Sequence, residues 1–354
     1  MNFGFGEALA QSLAEKTSKS WRVLFVRTSA GASGFLMKFN HILFSTDFSE
    51  RSLALTRQVE WLAARFDSRV TLLHVFEIPA AWYGACEATF VNMDCLNTLR
   101  DSAKQRLIEH VINVPKARVE RMMAEGDVAG NILSYADGHK VDLIVMGTHG
   151  YGAIQGWILG SVTAKVLHKA TCPIWTDSLS HVQPNGPGIS KILCALELTD
   201  EAVPLLLFTK ELAQESGATV KLIHSVPELE TRPNRYFDFD LHRYLMESAR
   251  VEITKMQREA ATAFPLTISQ TAISDAIVDA ASEHGADLVV VGRGNAQKTL
   301  GRFQTHLHGI IRYASCPVLS YSLKQGDRTS SSCNAEHPVQ CAEHVQLLIG
   351  SPTP

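Results

Sequence analysis

Short apolar runs and amphipathic stretches take turns along this chain. Residues 42–45 (ILFS), 70–75 (VTLLHV) and 143–146 (LIVM) are rich in branched and aliphatic side chains with little polar interruption. Such runs suit strands buried on both faces, and strands alternating with helical patterns build βαβ units in a parallel sheet. After the first run, Ser49 reads as the N-cap of a helix with Leu53, Val59, Leu62 and Ala63 near one face. A second helix is expected over residues 96–112. A third spans residues 129–138, with Ile132, Leu133 and Ala136 at helical spacing and Gly138 as its C-cap, and a fourth follows over residues 161–169.

The whole pattern is then written a second time. HILFSTDFSERSLAL, from His41, returns in outline as KILCALELTDEAVPL from Lys191, an offset of 150 residues. VTLLHVFE, VDLIVMGTHG and KATCPIW return in the same order as VKLIHSVPE, ADLVVVGRGN and YASCPVL. A length of 354 residues also exceeds the usual size of one core. The expected fold is therefore α/β: two tandem flavodoxin-like domains, each a five-stranded parallel doubly wound sheet, over residues 39–178 and 190–323 with a linker at 179–189. Ligands of such sheets sit at the carboxyl ends of strands where the strand order reverses, which here means after the first and fourth strands. Open sheet edges need covering. Docking of the last strands of the two repeats would cover them, within the chain as a pseudo-dimer or between chains as a homodimer.

Composition narrows the function classes. Hydrophobic residues make up 45% and charged residues 19%, the balance of a globular protein. A net charge of −3 gives no long-range attraction to nucleic acid or anionic lipid, so neither is expected as a partner. The seven cysteines are scattered and contain no CxxC pair, which disfavours a disulfide framework or structural zinc and fits a reducing cytoplasm. No apolar run approaches the roughly 18–20 residues of a membrane span, and the first residues lack the basic start and apolar stretch of a secretory signal. Residues 1–38 read as an extension that is either functional or upstream of a true initiator at Met37. Residues 324–354 are rich in Ser, Gln and Pro and read as a disordered tail, so its Cys333, His337, Cys341 and His344 carry no metal assignment.

The strongest chemical signal is MGTHGYGAIQGWILGSV, from Met146 to Val162, directly after a buried strand and before a helix. Gly147 and Gly150 let backbone turn tightly near a ligand, and Gly160 and Ser161 open a helix whose first amides can receive an anion. The segment has no GxxxxGK[ST] and misses GxGxxG by one residue. It does resemble the universal stress protein family, whose ATP-binding members carry G-x2-G-x9-G-[ST], here Gly147, Gly150, Gly160 and Ser161. The resemblance covers both repeats, about 285 residues including ILFSTDFS, LLHV, EGDVAGNILSYA and TCPIW.

That resemblance implies domains of the adenine nucleotide alpha hydrolase-like type and a site for ATP, ADP or AMP. Asp47 would hold the ribose or adenine side, with Ser45 nearby and Val75 offering main-chain contacts to the base. Met146, Gly147, His149, Gly150, Gly160, Ser161 and Val162 would line ribose and phosphates. Magnesium would ride on the phosphates, since no protein ligand cluster is visible. No residue is assigned a catalytic role. The implied function is a stress-response regulator with an unidentified protein partner; a slow ATP hydrolase and a nucleotide-independent scaffold are the alternatives.

The second repeat departs from the motif in VGRGNAQKTLGRFQTHLHG, from Val291 to Gly309. Only Gly292 is kept; Asn295, Thr305 and His306 fall at the other three positions, and Glu197 replaces Asp47. One nucleotide per chain is expected. His74 and His224 recur within apolar strands and read as satisfied core residues, and Cys172 and Cys316, each before Pro, as buried inert thiols. The aromatic-rich insert at residues 78–95 reads equally as a lid or as a partner surface.

Overall fold

The computed structural model describes residues 39–77, 93–148, 159–177, 188–226, 235–293 and 302–322. The N-terminal extension, most of the 78–95 insert and the C-terminal tail lie outside the described residues.

The first repeat contains β1 (His41–Ser45), α1 (Glu50–Ala54), α2 (Thr56–Phe66), β2 (Arg69–Phe76), α3 (Met93–Glu109), β3 (Val119–Glu125), α4 (Val128–Gly138), β4 (Leu143–Gly147), α5 (Ser161–Lys169) and β5 (Ile174–Asp177). The second contains β6 (Lys191–Ala195), α6 (Ala202–Ser216), β7 (Thr219–Ser225), α7 (Arg235–Glu259), β8 (Leu266–Ser269), α8 (Ile273–His284), β9 (Leu288–Gly292), α9 (Arg302–Tyr313) and β10 (Val318–Tyr321). All ten strands join one sheet, in the order β3-β2-β1-β4-β5-β10-β9-β6-β7-β8. Every neighbouring pair is parallel except β5 with β10, which run antiparallel with Trp175 opposite Leu319. The last strands of the two repeats thus dock within one chain, and the two doubly wound sheets become a single surface.

Period-two alternation splits the strand side chains between two cores. Ile42, Phe44, Leu143, Val145, Trp175, Ile192 and Leu319 face the layer of α2, α3, α6 and α7. Leu43, Ile144, Met146, Ile174, Leu193 and Val318 face α4, α5, α8 and α9. Each core runs unbroken across both repeats, because burial on both faces of a parallel sheet asks for apolar residues at every strand position. On the first face, Phe39 of the first repeat lies 6.5 Å from the Phe208 ring, and Phe208 packs 4.4 Å from Tyr321.

The sequence-based boundaries hold for the strands to within about a residue at each end, whereas three helical expectations need correction. The second helix, expected over 96–112, runs three residues earlier at each end, as Met93–Glu109. The helix after β1 breaks at Leu55, so Leu53 is 42% exposed and Leu55 is the buried residue in its place. Gly138 does not cap α4: the helix carries on to a C-cap at His139, whose ring stacks 3.9 Å from that of Tyr135, and Lys140 takes the left-handed conformation at φ 52°. His74 and His224 are half-buried and not core residues, and they are satisfied alike, each Nδ1 bonding a carbonyl at the end of the neighbouring strand, Thr46 O at 2.9 Å and Leu196 O at 2.8 Å. Cys172 and Cys316 are buried and outside any disulfide, and burial pushes the Cys316 thiol up to about 12. No helix among the described residues is long and apolar enough to cross a membrane.

Candidate functional site

The carboxyl ends of β1 and β4 lie side by side, with Ser45 level with Met146. β2 and β3 extend the sheet on the far side of β1, so this is the point at which the strand order reverses. Two loops leave from it, one carrying Asp47 and the other the glycine segment.

The first loop is fixed by its own side chains. Thr46 Oγ1 accepts from Phe48 N at 3.1 Å and bonds Ser52 Oγ at 3.0 Å. Phe48 sits at φ 60°, a left-handed conformation costly for a bulky residue, and it is held there from several sides. Its ring packs 4.4 Å from His74, Arg106 lies over it at 4.8 Å, and Arg106 Nη2 donates to Phe48 O at 3.0 Å. Ser49 is the helix N-cap as expected, its Oγ accepting from Ser52 N at 3.2 Å.

Asp47 has a different task. Its Oδ1 accepts from Ser49 N at 3.0 Å and from Ser49 Oγ at 2.7 Å, which sets the plane of the carboxylate. Its Oδ2 is buried with no hydrogen-bond partner among the described residues. A buried acceptor left unmet costs about 1–3 kcal/mol, so this oxygen is suited to a donor that a ligand brings, such as a sugar hydroxyl or an exocyclic amine.

The second loop leaves β4 at Gly147 and returns at Gly160, whose N donates to Thr148 O at 2.9 Å. Thr163 Oγ1 donates to Gly147 O at 3.0 Å, tying the first turn of α5 to the end of β4. Gly160 is the N-cap of α5, at φ −56° and ψ 139°, and no side chain among the described residues caps that start. The first intrahelical bond there is Ala164 N to Gly160 O, so the N–H groups of Ser161, Val162 and Thr163 have no acceptor within the helix. Together with the helix dipole they favour an anion beside Gly160. Met146 and Val75 are buried beneath the mouth at 4% and 7% exposure, while Ser45 and Val162 are half-buried. His149 and Gly150 lie outside the described residues. Thr46, Phe48, Arg106 and Thr163 shape the site without having been picked out in the sequence; of these, only Thr46 leaves a local trace there, as the first of three hydroxyls spaced by three residues with Ser49 and Ser52.

The second repeat keeps the crevice and changes its chemistry. Glu197 follows β6 where Asp47 follows β1, and burial together with the Glu201 charge raises its carboxyl to about 7. A raised acid holds its proton in the folded chain, so its contribution weakens as pH climbs from the ordinary carboxyl range through about 7. Glu197→Gln is therefore expected to stabilise the protein more at pH 8 than at pH 5. The difference should be on the order of 1–2 kcal/mol after discounting for the solvent that still reaches the side chain. Urea midpoints at the two pH values check this, and an equal gain at both would sink it.

The universal stress protein family matches the chain twice, over residues 38–176 and 188–321. Universal stress protein A homolog 1 of Coxiella burnetii is 31% identical over 140 residues, which is 39% of this chain and 95% of that protein. A universal stress protein of Methanocaldococcus jannaschii is 27% identical over 139 residues, 38% of this chain and 80% of that protein. The crystal structure of a universal stress protein from Archaeoglobus fulgidus shares the fold, with a TM-score of 0.55 at 17% identity over 80% of this chain and 97% of that one. With both repeats matched, and with the strands of each paired in the same order, the chain belongs to the universal stress protein family as a tandem member.

Proposed function

We propose that the first repeat binds an adenine nucleotide, ATP or its products ADP and AMP, and that occupancy regulates the docking of a protein partner in the cytoplasmic stress response. The observation that carries this reading is that, among the described residues, the buried Oδ2 of Asp47 has no donor and the helix start at Gly160 and Ser161 has no side-chain cap. A ribose or adenine donor meets the first, and phosphate oxygens meet the second. His149 and Gly150 complete the proposed G-x2-G-x9-G-[ST] cradle, and magnesium comes with the phosphates. Asp47 orients the nucleoside, the amides of α5 take the negative charge, and Val75 and Met146 exclude water beneath the base. Regulation then needs only that the nucleotide favour one of two docked states over the other.

The second repeat supports no equivalent site. Glu197, half-buried beside Glu201, places carboxyls where a nucleotide would approach, and Thr305 and His306, at the motif positions of Gly160 and Ser161, lie inside α9, which starts at Arg302, and do not open it. The expected result is one nucleotide per chain, released on denaturation of the purified protein and identified by mass spectrometry. Two equivalents would overturn the asymmetry between the repeats. No nucleotide, together with no rise in melting temperature on adding ATP, would overturn the reading itself and leave a nucleotide-independent scaffold built on the β5–β10 junction.

A further inference from the structure

Arg293 is the first residue after β9 and stands where Thr148 stands after β4. Its backbone N donates to Tyr321 O at 2.7 Å, fixing it to the end of β10. Its side-chain hydrogen bonds are made in the first repeat. Nη1 donates to Leu167 O at 3.1 Å and Nη2 to Cys172 O, both in the first repeat. The residue is 6% exposed. Burial lowers its guanidinium to about 10, which leaves it cationic at neutral pH.

The two acceptors give this reach a direction. Leu167 lies in the last turn of α5, whose final carbonyls have no donor within the helix, and Ala170 N takes Val166 O instead. Cys172 lies in the turn that carries α5 into β5. Arg293 therefore caps α5 at its C-terminal, negative end, where a cation is favoured. The opposite end of this nine-residue helix is the Gly160–Ser161 start. Thr163 Oγ1 anchors that start on Gly147 O, within the first repeat, while the far end is held by the second. A helix this short moves as a rigid rod, so a shift at one end is a shift at the other.

We propose that Arg293 is a positioning residue for the anion site of the first repeat: from the end of β9 its guanidinium clamps α5 from behind and couples the two repeats. This inference rests on the nucleotide reading given above. By linkage, the coupling is reciprocal: nucleotide bound at the start of α5 must tighten the contact of Arg293 with its end, and hence the β5–β10 junction.

The test uses the full chain with Arg293→Met, which keeps the stem without the donors, and Arg293→Lys, which keeps the charge and one donor group. Three quantities are read: the dissociation constant for MgATP by calorimetry at a temperature where each variant is folded, hydrogen exchange of the α5 amides without nucleotide, and exchange across β5 and β10 with and without MgATP. Arg293→Met is expected to lose α5 protection, to weaken MgATP binding about tenfold, and to lose the protection that MgATP adds at β5 and β10 in the wild type. Arg293→Lys should recover part of each. Should the Met variant fail to fold, the Lys variant and the wild-type response of β5 and β10 decide the question. A purely architectural arginine would lower the melting temperature and leave the MgATP constant and the β5–β10 response unchanged, which overturns the proposal. Wild-type protein that binds no MgATP would overturn the nucleotide reading and the positioning role with it, whereas α5 exchange unaltered in the variants would overturn the clamp alone.

Discussion

Asp47→Asn is expected to weaken ATP binding by about ten- to a hundredfold while leaving the nucleotide-free fold almost as stable as before. The variant keeps Oδ1, and with it the bonds from Ser49 N and Ser49 Oγ that set the side chain in place. What changes is the second oxygen, buried and unmet, which becomes an NH2 group that donates and cannot accept. A hydrogen bond to a charged acceptor is worth about 1.5–3 kcal/mol, and each 1.4 kcal/mol is a factor of ten in affinity. Calorimetric titration with ATP and a urea midpoint without it separate binding from folding. An unchanged dissociation constant would remove Asp47 from the site; a large loss of stability without ligand would make it a structural residue instead.

Trp175→Ala is expected to cost about 3 kcal/mol and to lower the stability of both repeats together. Trp175 is 1% exposed at the centre of β5, opposite Leu319 of β10, and belongs to the core that α2 and α6 share. Truncating a buried tryptophan costs about 3–5 kcal/mol. The lower end applies here, because Trp175 Nε1 is buried without a partner among the described residues and its removal relieves that cost. Trp175→Phe, which drops the N–H and keeps an aromatic ring, should cost far less. Since the sheet is continuous across this pair, circular dichroism and fluorescence are expected to report one coincident unfolding transition in wild type and variant alike. Two separated transitions would show that the repeats unfold independently.

Much of the architecture was legible because its determinants are local. Near-continuous apolar runs marked the strands, and the repeat of His41–Leu55 in Lys191–Leu205 gave the domain count without reference to packing. The break at Leu55 was not legible. Helical spacing alone put Leu53 on the buried face, and the phase is reset by a cap at Ser49 and a Thr46–Ser52 bond that periodicity does not encode. Asp47 was found from its place after β1 and by resemblance. Its division of labour with Ser49, one oxygen held and one left open, emerged only from three-dimensional geometry. Phe48 carries none of the Gly or Asn signal that usually marks positive φ, because tertiary contacts impose it. Arg293 was invisible for a plainer reason: its acceptors lie 126 and 121 residues away in sequence.

The antiparallel pairing of β5 with β10 also sets a timetable for synthesis. Thr176 and its partner Val318 are 142 residues apart. At about 5–20 residues per second, a ribosome needs roughly 7–30 s to make the intervening chain. For that interval the first repeat displays β5 as an edge strand, with Trp175 in it, in a polysome where neighbouring nascent chains display the same edge. Two such edges can pair with one another before β10 arrives, so the concentration of nascent chains becomes a determinant of whether the sheet closes within one molecule or is exchanged between two.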